Sequence, residues 1–262
     1  MSIRIIQDNG IISCFTGRGD GNFSFSRDPD VERVRQNFTV LAHNLDIEPE
    51  CFVCCRQTHG CNVGVVTEAH KGTGVYKDVY FTDTDALVTQ VPGIALFTVH
   101  ADCIPIQFWD PEHKAAGSAH SGWKGTLAEI SAETVKTMQK DFDTDPAKLI
   151  VAIGPGICQD CFEISRDVYD CFNLKFPELC SNTQYVKAGI TEGKWHLNLR
   201  AFVEHSLRKA GVLPENIKND FPCTCCNEEE FFSHRRDSKK AATCTDVFLG
   251  AMGSVIYIKE RI

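Results

Sequence analysis

Long apolar runs are missing from this sequence, since nowhere in its 262 residues do the roughly 18 consecutive apolar residues of a membrane-spanning helix occur. It also lacks Pro-, Gly- or Ser-rich linkers, low-complexity segments and internal repeats. The first residues, MSIRIIQDNGIISCF, alternate apolar and polar side chains and lack the hydrophobic core of a secretion signal. We therefore expect a single domain over residues 1–262 that is located in the cytoplasm.

Positive charge is also in short supply. The chain carries 27 Lys and Arg residues against 35 Asp and Glu residues, which gives a formal net charge of -8. Proteins that bind nucleic acids or anionic membranes need a basic surface to neutralise phosphate groups. The composition therefore argues against both kinds of partner and favours a small-molecule substrate. No segment indicates an obligate protein partner.

Cysteine, by contrast, is abundant, with 14 residues. Without a secretion signal we expect reduced thiols, which serve as packing groups, metal ligands or nucleophiles more often than as disulfides. Two groups, Cys158-x-x-Cys161 and Cys223-x-Cys225-Cys226, suggest a second zinc site. However, the first lies in a Gly- and Pro-rich segment, and we interpret the second as lacking a matching C-x-x-C pair. We therefore predict that these cysteines do not form a structural zinc site.

Short β-type runs recur along the chain, and three segments have the apolar periodicity of amphipathic helices. The predicted strands are Ile3–Ile6, Ile11–Phe15, Phe52–Cys55, Asn62–Val66, Ala86–Thr89, Ala95–Val99, Ile104–Trp109, Ala115–Ala119, Leu149–Ile153 and Val255–Ile258. The predicted helices are Val31–Leu45, Thr126–Phe142 and Asn198–Ala210. Because strands and helices interleave without strict alternation, we predict an α/β (α+β) fold with mixed β-sheets and helices packed outside them.

Residues with metal-ligand or catalytic chemistry cluster at the ends of predicted strands. Strand ends flanked by glycine are common places for functional sites. The clusters are Gln57-Thr58-His59-Gly60, His100-Ala101-Asp102-Cys103 and Ala119-His120-Ser121-Gly122-Trp123-Lys124-Gly125. Three predicted strands bracket the last two clusters, and this arrangement can bring a cysteine and two histidines to one point.

One cysteine and two histidines form a recognised catalytic zinc set with an open fourth position. Zinc in such a site lowers the pKa of a water molecule toward neutrality, and the soft thiolate would also tolerate copper. Spacing alone does not identify this site, because the residues are scattered and match neither H-E-x-x-H nor paired C-x-x-C motifs. Taken singly, a cysteine between apolar strands is usually a packed thiol, and a lone histidine is usually a surface or hydrogen-bonded residue.

Six motifs together resemble those of the YfiH/YlmD-type family, also called the multicopper polyphenol oxidase or laccase-domain family. They are QTHG (57–60), DALVT (85–89), HADCIPIQFWDP (100–111), AAGSAHSGWKG (115–125), IGPGICQDCFEI (153–164) and FFSHRRD (231–237). The combination of ADC-x-P with AH-x-GW-[KR]-G at this separation is highly specific. The resemblance covers almost the whole chain and implies a YfiH-like fold with one catalytic domain of this type over residues 1–262.

The resemblance also implies a metal centre. The family's ligands are the His of Q-x-HG, the Cys of ADC and the His of AH-x-GW, which fall here on His59, Cys103 and His120. The segment TGRGDGNFSF resembles the family's N-terminal pocket segment, although the family usually reads closer to TxRxGGVS. This match places Arg18 and Asn22 among the expected substrate-binding residues.

Family members are described as phosphorolysing adenosine, guanosine, inosine and methylthioadenosine to the free base and a ribose 1-phosphate, and as deaminating adenosine. The resemblance therefore implies a purine nucleoside phosphorylase with adenosine deaminase activity and a zinc or copper cofactor. Proton transfer needs a nearby acid or base, and phosphorolysis needs a bound anion beside the anomeric carbon. We predict catalytic roles for Asp102, Arg56 and Cys103. We predict that Arg18, Asn22, Lys124, Arg235 and Arg236 bind substrate or phosphate.

Other functions stay open at this stage. A laccase of the cupredoxin kind gathers many histidines in H-x-H pairs, whereas this chain has nine histidines and no H-x-H, so only a single-copper phenol oxidation would fit. A thiol hydrolase would use Cys103 as the nucleophile and His120 as the base. A metal-dependent binding module is a further, non-enzymatic alternative.

Overall fold

The computed structural model describes residues 3–4, 6, 8, 10–244 and 247–260. The strands among these residues are β1 (Ile3–Arg4), β2 (Ile11–Phe15), β3 (Phe52–Cys54), β4 (Val63–Val65), β5 (Ala86–Thr89), β6 (Ala95–His100), β7 (Ile104–Asp110), β8 (Ala115–Ser121), β9 (Ile150–Ile153), β10 (Glu163–Ser165), β11 (Val186–Ala188), β12 (Lys194–Leu197), β13 (Ile217–Lys218) and β14 (Met252–Ile258). The predicted strand Ile3–Ile6 includes Ile5, which lies outside the described residues. The other predicted strands are confirmed with small shifts at their ends.

The described strands form three sheets. A five-stranded sheet has the order β1-β2-β14-β6-β3, and a six-stranded sheet has the order β13-β9-β7-β8-β5-β4. A small three-stranded sheet has the order β10-β12-β11. The β3–β6, β4–β5 and β9–β13 pairs are parallel, whereas pairs such as β7–β8 and β6–β14 are antiparallel. The prediction of mixed sheets is therefore confirmed.

The helices differ more from the prediction than the strands do. They are α1 (Val31–Leu45), α2 (Trp123–Leu127), α3 (Ile130–Phe142), α4 (Arg166–Lys175), α5 (Pro177–Cys180), α6 (Leu199–Lys209) and α7 (His234–Ala241). The helix predicted over Thr126–Phe142 is wrong at its start, because Glu129 has a left-handed backbone (φ 60°) that separates α2 from α3. Sequence analysis missed α4, which is short and fully buries only Phe172, and α7, whose one buried side chain is the polar Asp237.

The two larger sheets lie face to face, with helices on their outer faces. Leu96 and Phe97 of β6 are adjacent and point to opposite faces of the five-stranded sheet, so Leu96 joins the core between the sheets. Phe97 instead packs against Phe38 of α1, at a ring-centre distance of 4.7 Å. Helices α3 and α6 cover the outer face of the six-stranded sheet. The prediction of helices packed outside the sheets is therefore confirmed, and both sheets are buried on two sides.

The link between β6 and β7 crosses from the five-stranded sheet to the six-stranded sheet. Between the sheets, the buried amide of Gln107 on β7 donates to the carbonyl oxygens of Cys14 and Val255, at 3.0 and 2.8 Å. These bonds fix the two sheets relative to each other, because a buried amide needs its partners in place. Across the described residues, none of the helices has the length and apolar character that crossing a membrane requires.

Candidate metal centre and adjoining cavity

Three segments meet where the strands of both large sheets end. His59 follows β3, Cys103 lies in the turn between β6 and β7, and His120 lies at the end of β8. Their ligand atoms all lie within 4.8 Å of one another. The structure therefore brings together the three residues that the family motifs select as ligands.

A buried carboxylate, Asp85, organises two of these ligands. Its Oδ1 lies 2.8 Å from Nδ1 of His120, and the carboxylate accepts the backbone N–H groups of Thr58, His59 and Gly60 at 3.0, 3.0 and 2.8 Å. Burial opposes ionisation, but the contact with His120 and these backbone bonds lower the pKa of Asp85 to about 2. With Nδ1 occupied, His120 presents Nε2 as the ligand atom. Sequence analysis used the DALVT motif without assigning Asp85 a role.

Backbone geometry at the centre is unusual. His59 and Asp102 both adopt left-handed backbone conformations, with φ of 65° and 86°. Such conformations are costly for residues other than glycine and persist only where surrounding contacts enforce them. Gly122 allows the close approach of the segments, because a Cβ there would lie 2.8 Å from Cδ2 of His59 and 3.1 Å from Sγ of Cys103.

The electrostatic surroundings of Cys103 and His120 suit metal binding. Burial raises the pKa of the Cys103 thiol, but His120 and His59 outweigh this effect and lower it below its ordinary value. Burial likewise lowers the pKa of His120, yet Cys103 and Asp85 together raise it. These neighbours therefore favour the thiolate form of Cys103, which is the form that binds metal. One sulfur and two imidazole nitrogens form a donor set that fits a single zinc ion with a free position.

A cavity of about 230 Å³ adjoins this centre. Its walls are mainly apolar and aromatic, with a few polar groups near the ligands. The lining residues are His59, Ala101, Asp102, Cys103, Trp123, Ile157, Phe162, Leu199, His234 and Arg235. Sequence analysis did not predict roles for Trp123, Phe162 or His234, although all three lie within the quoted family motifs. Apolar walls with a few convergent polar groups are typical of small-molecule sites.

Asp102 lines the cavity, but both oxygens of its carboxylate accept hydrogen bonds from neighbouring protein groups. Oδ1 accepts a hydrogen bond from Oγ1 of Thr224 at 2.6 Å. Oδ2 accepts bonds from Oγ of Ser233 at 3.0 Å and from the backbone N–H of Arg235 at 2.6 Å. Asp102 therefore connects the Cys103 turn to the start of α7.

The structure brings two of the predicted cationic residues to the cavity or its edge. Arg235 lines it, with Nη1 3.3 Å from the carbonyl oxygen of Cys161 and its guanidinium carbon 5.3 Å from the ring centre of Phe162. Lys124 is exposed, and its Nζ lies 5.6 Å from the ring centre of the lining residue Trp123.

Four other predicted residues are not brought to the cavity. Arg56 is exposed and lines a separate cavity of about 320 Å³. Asn22 is buried, and its side-chain oxygen accepts the N–H groups of Ser24 and Ala251 at 3.1 and 2.8 Å. These contacts indicate that Asn22 stabilises the local chain path.

The remaining two are arginines that contact the segment before α7. The guanidinium of Arg18 lies over the ring of Phe232 at 4.4 Å and pairs with Asp237 at 3.4 Å. The guanidinium of Arg236 bonds to the carbonyl oxygens of Thr224 and Phe231, both within 2.8 Å, and to the carboxylate of Asp237. Neither side chain contributes to the cavity wall.

Mixed sheets with outer helices and a His2Cys centre at the strand ends define an α+β protein with a candidate metal site. Residues 15–259 match the family described as multi-copper polyphenol oxidoreductase laccase. This chain belongs to that family, which is the YfiH/YlmD-type family its motifs resemble. A solved structure of the YfiH protein of Bacillus licheniformis is similar, with a TM-score of 0.89 and 28% identity over 98% of this chain and 96% of that one.

Two relatives have names that describe an activity. The chain is 35% identical over 208 residues to adenosine deaminase RL5 from an unknown prokaryotic organism, covering 79% of this chain and 78% of the relative. It is 31% identical over 229 residues to a purine nucleoside phosphorylase of Bacteroides thetaiotaomicron, covering 84% and 83%. The relatives support the prediction that this protein is an enzyme.

Proposed function

We propose that this protein is a purine nucleoside phosphorylase that also deaminates adenosine, with a metal held by His59, Cys103 and His120. The observation that carries the proposal is that this three-ligand group adjoins a cavity with aromatic walls and one cationic side chain. Adenosine, guanosine, inosine and methylthioadenosine are the proposed nucleosides. The two relatives named for phosphorylase and deaminase activities support the same substrate class.

The cavity walls suit a purine base. Trp123 and Phe162 offer flat aromatic surfaces, and Ile157 and Leu199 add apolar contacts. A planar heterocycle between such side chains removes apolar surface from water on both of its faces. Phosphate carries negative charge and is bound best by guanidinium and ammonium groups. We therefore assign phosphate binding to Arg235 and, at the edge of the cavity, to Lys124.

Zinc, when bound, supplies a Lewis acid that polarises an oxygen ligand and lowers the pKa of a water molecule; copper is the alternative metal. The protein's own residues orient the reactants. Asp85 fixes the ring of His120, and His234 adds an imidazole to the cavity wall. Because three donors already occupy its carboxylate, we assign Asp102 a positioning role, in which it holds the backbone of Arg235.

The test is metal analysis of protein purified without added copper, followed by incubation with inosine and adenosine with and without phosphate. We expect hypoxanthine from inosine only when phosphate is present, and inosine from adenosine in its absence. His59→Ala, Cys103→Ala and His120→Ala should lose both activities, whereas Cys171→Ser, an exposed thiol outside the site, should keep them. Several tightly bound copper ions with oxygen consumption on phenols, and no nucleoside turnover, would overturn the proposal.

A second candidate function rests on the contact between Asp85 and His120. A carboxylate that orients a histidine beside a thiolate is also the arrangement of a cysteine hydrolase. In that case removal of metal would leave activity intact, and alkylation of Cys103 with iodoacetamide would abolish it. Loss of activity on chelation, restored by zinc, would favour the nucleoside enzyme.

A further inference from the structure

A second group of ligand-type side chains lies outside the proposed catalytic centre. The sulfur atoms of Cys158, Cys161, Cys223 and Cys226 all lie within 4.8 Å of one another, and Sγ of Cys161 is 3.4 Å from Sγ of Cys226. The interpretation that the second cysteine group lacks a C-x-x-C pair is wrong, because Cys223 and Cys226 have this spacing. Two C-x-x-C pairs that meet in space form a typical zinc-ligand arrangement.

We propose that these four cysteines bind one zinc ion as a structural site. Four thiolates complete a tetrahedral shell and leave no position for substrate, so the site would stabilise the fold and take no part in the reaction. In a tetrathiolate zinc site the sulfur atoms lie about 3.8 Å apart, given zinc–sulfur bonds of about 2.3 Å. The four sulfur atoms, all within 4.8 Å of one another, lie close enough together to share one zinc ion.

Backbone contacts join the loop that carries Cys158 and Cys161 to the loop that carries Cys223 and Cys226. Gly156 and Cys223 form a β-bridge, and the N–H of Thr224 donates to the carbonyl oxygen of Gly156 at 3.2 Å. The N–H groups of Cys158 and Cys226 both donate to Sγ of Cys223, with the first N···S distance at 3.2 Å. Hydrogen bonds from backbone N–H groups to sulfur stabilise the thiolate form that zinc requires.

Two arginines lie beside the loop that carries Cys223 and Cys226. A zinc ion with four thiolates carries a net charge of about -2, which nearby cations would offset. Arg200 interacts electrostatically with Cys158 and Cys223, and its Nη2 donates to the carbonyl oxygen of Pro222 at 3.1 Å. Nη1 of Arg236 donates to the carbonyl oxygens of Thr224 and Cys225, at 2.8 and 3.2 Å. Both arginines therefore fix the loop that carries Cys223 and Cys226.

The proposed zinc site adjoins the wall of the cavity. The residue after Cys161 is Phe162, which lines the cavity, and the carbonyl oxygen of Cys161 accepts a bond from Arg235. On the other loop, Thr224 donates to Asp102. Zinc at the four cysteines would thus hold these side chains in position without contacting the substrate.

The experiment counts zinc in the full chain by native mass spectrometry, after purification without a chelator or a metal-affinity column. The His59→Ala variant separates the sites, since it should lose metal at the catalytic centre and retain one zinc at the cysteines. Adding Cys158→Ser and Cys161→Ser to this variant should remove the last zinc. Cys171→Ser with Cys244→Ser is the matched control, because both thiols are exposed and outside the cluster, and it should leave zinc content unchanged.

Cobalt substitution keeps the test valid if the serine variant fails to fold. In the His59→Ala protein, cobalt should give the thiolate charge-transfer and tetrahedral ligand-field bands of a four-sulfur site. The proposal would be overturned if the His59→Ala protein contained no zinc and its intact mass were lower by four hydrogens, because the four cysteines would then form two disulfides. A missing phosphorylase activity in protein that retains this zinc would count against the proposed function alone, because the cysteine site does not depend on it.

Discussion

The carboxylate of Asp85 contacts the imidazole of His120 at 2.8 Å, and the same carboxylate holds the turn that carries His59. One buried side chain therefore orients two of the three proposed metal ligands. A contact of this kind fixes the tautomer and direction of a ligating histidine, and its loss commonly lowers metal affinity.

Asp85→Asn should lower zinc affinity at the His59, Cys103 and His120 centre by about 10- to 100-fold. An amide presents one oxygen and one N–H2 group, so it cannot accept from His120 and all three backbone N–H groups at once. Zinc competition with a chromophoric chelator measures the change. Asp83→Asn is the control, since Asp83 is an exposed carboxylate that bonds to Thr58 and Asn62 of the same turn. Equal affinities for the two variants would contradict this role of Asp85.

Gly122→Ala should displace the proposed metal ligands by steric contact, although it removes none of them. The added methyl group would lie 2.8 Å from Cδ2 of His59 and 3.1 Å from Sγ of Cys103, so one ligand must move away from the other two. We expect kcat/KM for inosine to fall by about tenfold or more, because small displacements at a reacting centre are costly. Gly19→Ala, which meets no atom within 4 Å, should leave it unchanged. Unaltered kinetics in Gly122→Ala would show that the ligands do not act from these positions.

Asp102→Asn distinguishes positioning from proton transfer. If Asp102 holds Arg235, the variant should raise the KM for phosphate by about tenfold, the cost of a lost hydrogen bond to a charged group. The pH profile of kcat should keep its shape. Thr224→Val removes one of the donors to Asp102 and should act in the same direction with a smaller effect. Loss of one limb of the pH profile in Asp102→Asn would instead identify Asp102 as the proton shuttle.

The stability of the fold should decrease at acidic pH because of Asp110. This buried carboxylate accepts the backbone N–H groups of Glu112 and His113 and lies 2.9 Å from Nδ1 of His113. Burial opposes ionisation, but the nearby Thr144 hydroxyl and these bonds together lower the pKa of Asp110 below its ordinary value. A lowered carboxyl pKa stabilises the fold above the unfolded-state pKa, and this stabilisation is lost as the pH falls through the folded-state pKa.

Asp110→Asn should therefore lower the free energy of unfolding by about 1 kcal/mol at pH 7, with a smaller difference near pH 3. Urea unfolding at the two pH values measures both differences. Glu112→Gln, which removes an exposed ion pair with Lys148, is the matched control and should change stability less. An equal loss for Asp110→Asn at both pH values would exclude the electrostatic origin.

Much of the fold could be predicted from the sequence, because long buried strands have a clear composition. Helix α1 begins and ends at the residues predicted from its apolar periodicity, and the N–H of Arg33 donates to the side chain of Asp30 just before it. The three-stranded sheet and α4 could not be predicted in this way, since short half-exposed elements lack a strong apolar pattern.

The candidate site was predictable only in part, for a related reason. Family motifs selected His59, Cys103 and His120, which lie on separate segments. The catalytic role predicted for Arg56 rested on residue type, and the substrate- or phosphate-binding role predicted for Arg236 rested on residue type and the FFSHRRD motif. Arginine serves equally well as a bidentate ligand and as a partner of backbone carbonyls, so its type does not reveal which role it has. The contacts of Asp85 and the meeting of the two C-x-x-C pairs depend on long-range packing, which local sequence does not specify.

The crossover from β6 to β7 gives the proposed metal a further consequence. His59 lies in the link from β3 of the five-stranded sheet to β4 of the six-stranded sheet, Cys103 lies in the link from β6 to β7, and His120 belongs to β8 of the six-stranded sheet. The three ligand residues come together only when the two sheets are docked. Metal binding is therefore thermodynamically linked to the association of the sheets. Each tenfold rise in free metal above the dissociation constant should add about 1.4 kcal/mol to the free energy of unfolding. The availability of metal in the surroundings would then set how long the chain persists as well as how fast it works.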